Sequence, residues 1–508
     1  MWKECTIFRH NPSKPLQENA RMIHCQSQYQ ISIEEFKNPL QTQLSPENKW
    51  VILANALPWD KLVAIYCRAL SKRMGRGSID ARIVIGALII KHMMKLSDVE
   101  TIELIQENMY QQYFLGLSAY QYKPVFDPSL FVTIRKRLGA EAFDQMVIEL
   151  IAATKAPAEQ KADDDQPSSS SSSNGGSTTN KGILIVDMTV APADITYPTD
   201  IELLNTSREQ SEAIIDHLHR QLPSGAEKPR TYRRLGRKAY VSYTKNKRRS
   251  TAMTRKARRK QLGFVLRNIA HIHRLLDRLP DGMPYAMRHN FWVIQELYRQ
   301  QKQMHETHST RIDDRIVSVH QPHVRPIVRG KKAAHVEFGA QVSLSVMNGF
   351  NRIHKISWDA ANEALDLEGQ VEEYKKVYGF YPEIVLADKK YGSRVNRALL
   401  KDLGITYGGS PLGRPSENQS RKKLPKHIIN QRNHVEGRFG TAKRHYGMNR
   451  IMARCADTSE SWIGMIMFVM NLPWFLKLYG IHFLSLFVSS LKSFIESLTP
   501  SSELRLAA

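Results

Sequence analysis

The sequence has few cysteines. Cys5, Cys25, Cys67 and Cys455 are scattered along 508 residues, and no two of them have the spacing of zinc ligands. They imply no disulfide framework, which excludes a small disulfide-stapled secreted fold. The N-terminus also lacks the basic and then apolar layout of a signal peptide. We therefore expect a cytoplasmic protein of two or three domains.

Acidic residues are outnumbered. The chain has 73 Lys and Arg against 49 Asp and Glu, so its formal net charge is +24. A surplus of this size favours a polyanionic partner, and nucleic acid is the commonest one. Two other interpretations stay open: a basic protein with no special partner, and attraction to anionic lipid.

Long uninterrupted apolar runs are lacking too. The most apolar stretch, residues 462–491, is broken by Asn471, Pro473, Lys477 and His482. No clean run of membrane-spanning length remains. The pattern predicts two helices packed on a core and no membrane partner, with a membrane span as the less favoured alternative.

Domain boundaries follow from composition. Residues 156–181 (APAEQKADDDQPSSSSSSNGGSTTNK) are dominated by Ser, Gly and Asp, so they predict a disordered linker. Before it we expect an irregular arm (1–45) and a helical domain (46–155), in which Ser97 and Asp98 resemble a helix cap. After it we expect a larger domain (182–480) and a C-terminal helix and tail (481–508). Short basic helices suit a DNA-binding module and equally any small helical bundle.

The larger domain is predicted to be α/β. The run GILIVDM predicts a buried strand that ends at Asp187, and EIVLADKKYG repeats that layout around Asp388. Two further strand patterns occupy residues 335–347 and 350–358, and helices follow. This order indicates a mixed sheet. Residues of about 200–320 would form a helical insertion in it.

The insertion contains a densely basic segment, residues 227–261 (EKPRTYRRLGRKAYVSYTKNKRRSTAMTRKARRKQ). It is either a solvated loop and helix face or a phosphate-contacting surface, supplemented by stacking of Tyr232, Tyr240 and Tyr243. Lys331 and Lys332, with Arg325 and Arg329, precede a predicted strand and are also candidate DNA contacts. A solvated basic loop explains them equally well.

The aspartates at the two strand ends are the candidate catalytic residues. A carboxylate flanked by apolar residues is costly without a partner, and hard oxygen ligands select Mg²⁺ or Mn²⁺. Taken singly, Asp187 or Asp388 is better explained as a turn or helix cap. Rival carboxylates such as Asp194 and Asp200 end no apolar strand so clearly.

A third carboxylate favours the catalytic interpretation. In the predicted helix at about 426–445, Arg432, Glu436 and Lys443 fall within about 40° on one face, at ~100° per residue. An i,i+4 ion pair on a solvated helix is the simpler alternative, but it leaves both strand-end aspartates unexplained. Glu436 could complete a site for two divalent cations, which hold the attacking and leaving oxygens of a phosphodiester, while Arg432 and Lys443 contact phosphates.

These residues resemble a known family. The blocks VDMTVAPADITYPTD with Asp187, LADKKYGS with Asp388 and Tyr391, and Arg432, Glu436 and Lys443 as R-x3-E-x6-K are similar to the insertion-sequence DDE transposases. The nearest group is that of insertion sequence 5, with an InsH-like N-terminal domain over about 50–139. The tyrosine expected at position 429 is Ile429 here, so no role is transferred to it.

The resemblance implies an RNase H-like catalytic domain beside an all-helical DNA-binding domain. It also implies two Mg²⁺ or Mn²⁺ ions at Asp187, Asp388 and Glu436, and Tyr391 as a further DNA contact. Double-stranded DNA, as element ends and as target, would be the partner of a homodimer or higher synaptic complex in the bacterial nucleoid. A nuclease that cuts without joining, and an inactive DNA-binding remnant, remain alternatives.

Overall fold

The computed structural model describes residues 31–37, 43–70, 77–159, 180–328, 336–411 and 424–498. They form two compact units. The first takes its residues from Met1–Leu138, Gln145–Gln166 and Leu472–Ala508, and the second from Gly139–Asp144 and Pro167–Asn471. Most of the predicted arm and most of the predicted linker lie outside the described residues.

The first unit is helical, as expected for the N-terminal region. Its helices are α1 (Lys49–Ala56), α2 (Trp59–Arg68), α3 (Ala81–Met94), α4 (Asp98–Glu107), α5 (Met109–Phe114), α6 (Leu130–Arg137) and part of α7 (Ala140–Glu159). The predicted cap is confirmed, because Ser97 and Glu100 exchange backbone and side-chain hydrogen bonds at the start of α4. Asp98 then pairs with the buried cations Lys91 and Arg135, at 3.0 and 2.8 Å.

A buried histidine makes the stability of this unit depend on pH. Burial, then the charges of Lys91 and Arg135, lowers the pKa of His92 to about 3. In the unfolded chain this histidine takes up a proton near pH 6.5, whereas in the folded chain it does not. The free energy of unfolding is therefore unaffected by His92 above pH 6.5 and decreases as the pH falls from 6.5 toward 3. We expect wild type to lose up to about 1.4 kcal/mol per pH unit in this window relative to His92→Leu. Unfolding curves of both proteins between pH 7 and 4 measure this, and parallel pH profiles would contradict it.

The second unit is built on one mixed six-stranded sheet. Its strands are β1 (Ile183–Pro192), β2 (Arg325–Val328), β3 (Val336–Met347), β4 (Phe350–Ser357), β5 (Ile384–Ala387) and β6 (Thr406–Tyr407). The order is β2-β3-β1-β5-β6, and β4 pairs with the same edge of β3 as β2 does. β1 is antiparallel to β3 and parallel to β5. The predicted α/β class with an RNase H-like mixed sheet is confirmed.

Helices cover both faces of the sheet. They are α12 (Leu367–Tyr378), α13 (Arg394–Asp402), α14 (Lys426–Asn430), α15 (Arg432–His445) and α16 (Ala456–Leu498). Leu367 and Val371 of α12 and Leu400 of α13 pack on one face with Val186. On the other face, apolar residues of α15 and α16 pack against β1, β3 and β5. β1 is therefore buried on both sides, as its near-continuous apolar sequence predicts.

A helical insertion separates β1 from β2, as predicted. It comprises α8 (Asp200–His219), α9 (Arg233–Thr244), α10 (Thr251–Arg278) and α11 (Tyr285–Glu306). Its own apolar core joins residues of α8, α10 and α11, among them Ile215, Val265 and Ile294. Asp200, a rival carboxylate in the sequence, pairs here with Arg258 and Arg315, so its function is structural.

The prediction of two helices around Pro473 was wrong, because α16 continues through that residue. Proline removes one backbone donor, but burial of Ile463, Ile466 and Met470 against the sheet holds the helix in place. Among the described residues, Ala456–Gly480 is the one segment long and apolar enough to cross a membrane, and 67% of its most apolar window is buried inside the structure. Burial of that kind is typical of a core helix.

Candidate active site

The parallel pairing of β1 with β5 brings the two candidate aspartates together. The last paired residues are Val186 and Ala387, so Asp187 and Asp388 are the next residues on two adjacent strands. β5 ends there, whereas β1 continues to Pro192 because β3 pairs with it throughout. The prediction that β1 ends at Asp187 was therefore wrong. Asp187 lies in the middle of β1, at the point where the adjacent strand β5 ends.

Both aspartates lie on the sheet face that α15 covers. Side chains alternate along a strand, so Asp187 shares a face with Ile185 and Ala191, and both of these belong to the core cluster formed with α15. On β5 the same alternation places Asp388 with Leu386 of that cluster. The Asp187 side chain is half-buried and the Asp388 side chain is exposed. The pair thus forms a polar end to an apolar face.

Asp388 is held by three local contacts. Its carboxylate accepts from the backbone N–H of Lys389 at 2.7 Å and from Nη1 of Arg432 at 3.0 Å. Its backbone carbonyl accepts from the Tyr407 hydroxyl at 3.1 Å. Asp388 therefore caps the following turn, and it is also bound by a residue that the sequence predicts to lie in the site. The capping interpretation and the catalytic one are compatible.

α15 presents Arg432 and Glu436 along the edge of its buried face. Val435, Phe439 and Ala442 are buried against the sheet, while Glu436 is exposed one turn beyond Arg432 and Lys443 is half-buried further along. Arg432 is thus placed against Asp388, and Glu436 follows it on the same helix. The conformation does not complete a cation site: within the described residues, no three His, Cys, Asp or Glu side chains are grouped to hold a metal ion.

The donor set nevertheless has the chemistry that a hard divalent cation requires. Asp187 and Asp388 supply adjacent carboxylates, and Glu436 supplies a third on the facing helix. The guanidinium of Arg432 forms an ion pair with Asp388 at 3.0 Å. Two neighbouring carboxylates repel each other unless a cation lies between or beside them. The residues fit Mg²⁺ or Mn²⁺ by type, with Arg432 in competition for one of the oxygens.

Tyr391 does not occupy the surface position that a DNA contact needs. Its side chain is fully buried among Leu184, Val186, Val385 and other apolar residues on the opposite face of the sheet. Burial raises the pKa of its hydroxyl far above the ordinary value, and nearby carboxylates add to the effect. We correct its assignment: Tyr391 packs behind the Asp388 turn. The other predicted DNA contacts, Lys331 and Lys332, lie outside the described residues.

Tyr407 and Arg397 are site residues that the sequence did not reveal. The Tyr407 hydroxyl donates to the Asp388 carbonyl, and the Arg397 guanidinium lies 4.5 Å from the centre of the Tyr407 ring. Burial raises the pKa of Tyr407, so the hydroxyl stays a donor at neutral pH. Tyr407 belongs to the two-residue strand β6 and Arg397 to the helix α13, and no local pattern in either segment indicates that the two side chains meet at the Asp388 turn. Together they brace the turn that carries Asp388.

Comparison with known proteins gives two family matches. The model of the family "Transposase DDE domain" matches residues 385–473, which include Asp388 and Glu436. The model of the family "Transposase domain (DUF772)" matches residues 38–137, the helical N-terminal region. Together these matches support a DDE insertion-sequence transposase. The two matches flank the helical insertion, and Asp187 lies outside both.

One curated relative of the chain is the "Uncharacterized protein ORF8 in nfe locus" of Rhizobium meliloti. It is 28% identical over 206 residues, which cover 41% of this chain and 88% of that protein. No solved structure matches the chain. DDE transposases generally use divalent metal ions, which agrees with the donor set described above. Placement in the insertion sequence 5 group stays a prediction.

Proposed function

We propose that this transposase cuts DNA at the terminal inverted repeats of its element and joins the freed 3′ ends to target DNA. The observation that carries the proposal is the adjacency of Asp187 and Asp388 on parallel strands, with Arg432 of α15 bound to Asp388 and Glu436 one turn further along that helix. Water would attack first and free a 3′-hydroxyl, which would then attack the target in the same site. The net charge of +24 supports a DNA substrate.

Each residue of the site would have a distinct task. Asp187, Asp388 and Glu436 would hold two divalent cations, with substrate oxygens and water completing the coordination. Bound cations would stabilise negative charge on the attacking and leaving oxygens. Arg432 and Lys443 would hold the flanking phosphates, since guanidinium and ammonium groups bind phosphate oxygens strongly. For the three carboxylates to bind the cations, the Glu436 side chain must turn toward the two aspartates, and Arg432 must release Asp388.

A cleavage and joining assay tests the proposal. The substrate is a duplex that carries the inverted repeats flanking the gene, mixed with an unrelated plasmid and Mg²⁺. We expect cut ends with 3′-hydroxyls and their covalent joining to the plasmid, both abolished by a chelator. Cutting without joining would indicate a nuclease of the same fold. Binding with no cutting would indicate an inactive remnant and would overturn the proposal.

The ion pair between Arg432 and Asp388 makes a further prediction. Arg432 binds a carboxylate oxygen that a cation would use. Arg432→Gln should therefore tighten Mn²⁺ binding by about two- to fivefold, the change in affinity that corresponds to the free energy of a partly exposed ion pair. The same change should lower DNA cleavage, since a phosphate contact is lost. Electron paramagnetic resonance of Mn²⁺ measures the first effect. Lys426→Gln, on the exposed surface of α14, is the control, and equal Mn²⁺ affinity in both variants would argue against the competition.

Family membership leaves the assembly unspecified. We propose a homodimer or higher synaptic complex, since both ends of an element must be held during joining, and a location in the cytoplasm with the nucleoid. No membrane partner is proposed, because 67% of the most apolar window of α16 is buried inside the structure.

A further inference from the structure

The helical insertion carries a concentration of positive charge that the active site does not use. Of the 40 residues from Lys228 to Arg267, 16 are Lys or Arg, and none is Asp or Glu. They lie on the segment before α9, on α9 itself, on the turn after it and on α10 as far as Arg267. Some are taken up by structural pairs, since Arg233 binds Asp216 and Arg258 binds Asp200. The rest leave a large uncompensated charge on the surface.

The charge on α10 is confined to one face. At ~100° per residue, the exposed cations of this helix fall within an arc of about 140°. We call this row the α10 cationic face, and its members are Arg255, Lys256, Arg259, Lys260, Arg267, Arg274 and Arg278. The buried residues occupy the opposite arc, and they include Leu262, Val265 and Ile272. The one acidic residue of α10, Asp277, is exposed within the same arc between Arg274 and Arg278, so the uncompensated positive charge is concentrated from Arg255 to Arg267, where the face points to solvent.

The dimensions of this face match a DNA duplex. From Arg255 to Arg278 the helix rises about 35 Å at 1.5 Å per residue, close to one turn of B-form DNA. Duplex DNA carries one negative charge per about 1.7 Å of its axis, so phosphates face the whole row. The exposed cations Lys256, Arg259 and Lys260 form no ion pair with a carboxylate in the described part of the chain. They are therefore available to a polyanion.

Neighbouring aromatic residues argue against a single strand as the ligand. Binding of single strands relies on bases stacked on exposed rings. The Tyr232 ring lies between the guanidiniums of Arg230 and Arg267, at 4.8 and 4.6 Å, and Arg249 lies 5.0 Å from the Tyr243 ring. Those rings are occupied by the protein itself. For Tyr232 and Tyr243, this arrangement does not support the expectation of stacking on bases, and for Tyr240 the expectation stays a prediction.

A lipid surface is also a poor match. An amphipathic helix binds a membrane by inserting its apolar face. The apolar face of α10 is already buried against α8 and α11 in the core of the insertion. Only the cationic face remains, and it offers phosphate contacts without apolar insertion.

We propose that the α10 cationic face binds the phosphate backbone of duplex target DNA without regard to sequence. The face consists of Lys and Arg spaced along a helix, with Gly263 and Ala270 between them, and such contacts position a duplex but read no bases. The proposal rests on the proposed function only in that duplex DNA is the substrate. It assigns the insertion to the capture of the target rather than to the recognition of element ends.

Salt dependence of binding is the test. The full-length triple variant Lys256→Gln, Arg259→Gln, Lys260→Gln removes three exposed cations and keeps good helix formers. Binding of an unrelated 30-base-pair duplex, about 100 Å long at 3.4 Å per pair, is followed by fluorescence anisotropy between 50 and 200 mM salt without divalent cation. The slope of log K against log salt should fall by about 2.7, which is 0.9 for each lost phosphate contact. The matched control, Lys355→Gln, Lys376→Gln, Lys401→Gln, removes three exposed cations from other elements and should keep its slope near that of wild type.

Equal slopes for the triple variant and its control would overturn the proposal. So would a triple variant that loses affinity for a single-stranded oligonucleotide or for anionic phosphatidylserine vesicles and keeps its affinity for the duplex. Circular dichroism verifies that both variants retain their helix content. The binding is measured without metal, so it is independent of the carboxylates. A wild-type protein that never cleaves DNA would refute the proposed function and leave this result interpretable.

Discussion

Asp187→Asn is expected to lower DNA cleavage by a factor on the order of 10³ or more, the loss typical of removing one member of a catalytic group. Asn has nearly the same shape, and its side-chain oxygen can still accept from the backbone N–H of Met188, as Asp187 does at 2.8 Å. The strand pairing of β1 with β3 and β5 does not involve the carboxylate charge. The loss should therefore come from chemistry and not from folding. Cleavage of an end-bearing duplex in Mg²⁺ measures it, and duplex binding should change little.

The control for this variant is Asp402→Asn. Asp402 is an exposed aspartate at the end of α13, so the change removes the same charge away from the site. It should cleave DNA at the wild-type rate. Normal cleavage by Asp187→Asn would show that Asp187 is structural. If Asp187→Asn differs from wild type in both duplex binding and melting temperature, Asp388→Asn provides the test instead.

Phe439→Ala is expected to destabilise the second unit by about 3–5 kcal/mol, the usual cost of removing a buried phenylalanine. The Phe439 side chain is 8% exposed and packs in the cluster that joins α15 to the sheet. Because α15 also carries Arg432 and Glu436, its loosening should lower cleavage even in the molecules that stay folded. Thermal and denaturant unfolding measure the stability, and the rate per folded molecule measures the positioning.

His434→Ala on the same helix provides the comparison. His434 is exposed, so its truncation should change stability by no more than about 0.5 kcal/mol and leave cleavage intact. An equally small effect for Phe439→Ala would mean that α15 is not held by this contact. Loss of stability without any loss of activity per folded molecule would separate the packing of α15 from the placement of its charged residues.

Much of the catalytic fold follows from local sequence patterns. The apolar runs before Asp187 and Asp388 predict buried strands, and the structure confirms both strands and pairs them in parallel. The capping box at Ser97 is visible in four residues. These features can be predicted because a strand buried on both faces and a helix cap each have a recognisable pattern within a few consecutive residues. The helical insertion is predictable for the same reason.

Features that depend on distant partners were missed or misjudged. β1 extends past Asp187 because β3 pairs with it as far as Gly339, and an added Cβ there would lie 2.1 Å from the Ala191 carbonyl oxygen. α16 continues through Pro473 because packing outweighs the lost hydrogen bond. Tyr391 looked like a DNA contact by family pattern, yet it is a core residue. Each outcome is decided by packing between residues that are distant in the sequence, so a short stretch of sequence cannot predict it.

The candidate site shows the same division. Helix periodicity places Arg432 and Glu436 on one face of α15, and the structure brings Arg432 to Asp388. Periodicity says nothing about how side chains share the oxygens of one carboxylate. The pairing of Arg432 with Asp388, the exposure of Glu436 and the bracing by Tyr407 all emerge only from the fold. The predicted triad of carboxylates therefore remains a proposal. It is supported by Asp187 and Asp388, which lie next to each other on two adjacent strands.

The most direct measurement of the central claim is Mn²⁺ binding to the protein with end DNA bound, compared among wild type, Asp187→Asn, Asp388→Asn and Glu436→Gln. If the three carboxylates share the cations, wild type binds two Mn²⁺ ions per active site and each variant loses about tenfold or more in affinity. The decisive variant is Glu436→Gln, since this side chain is exposed and not grouped with the aspartates. Wild-type stoichiometry and affinity in Glu436→Gln would contradict the account.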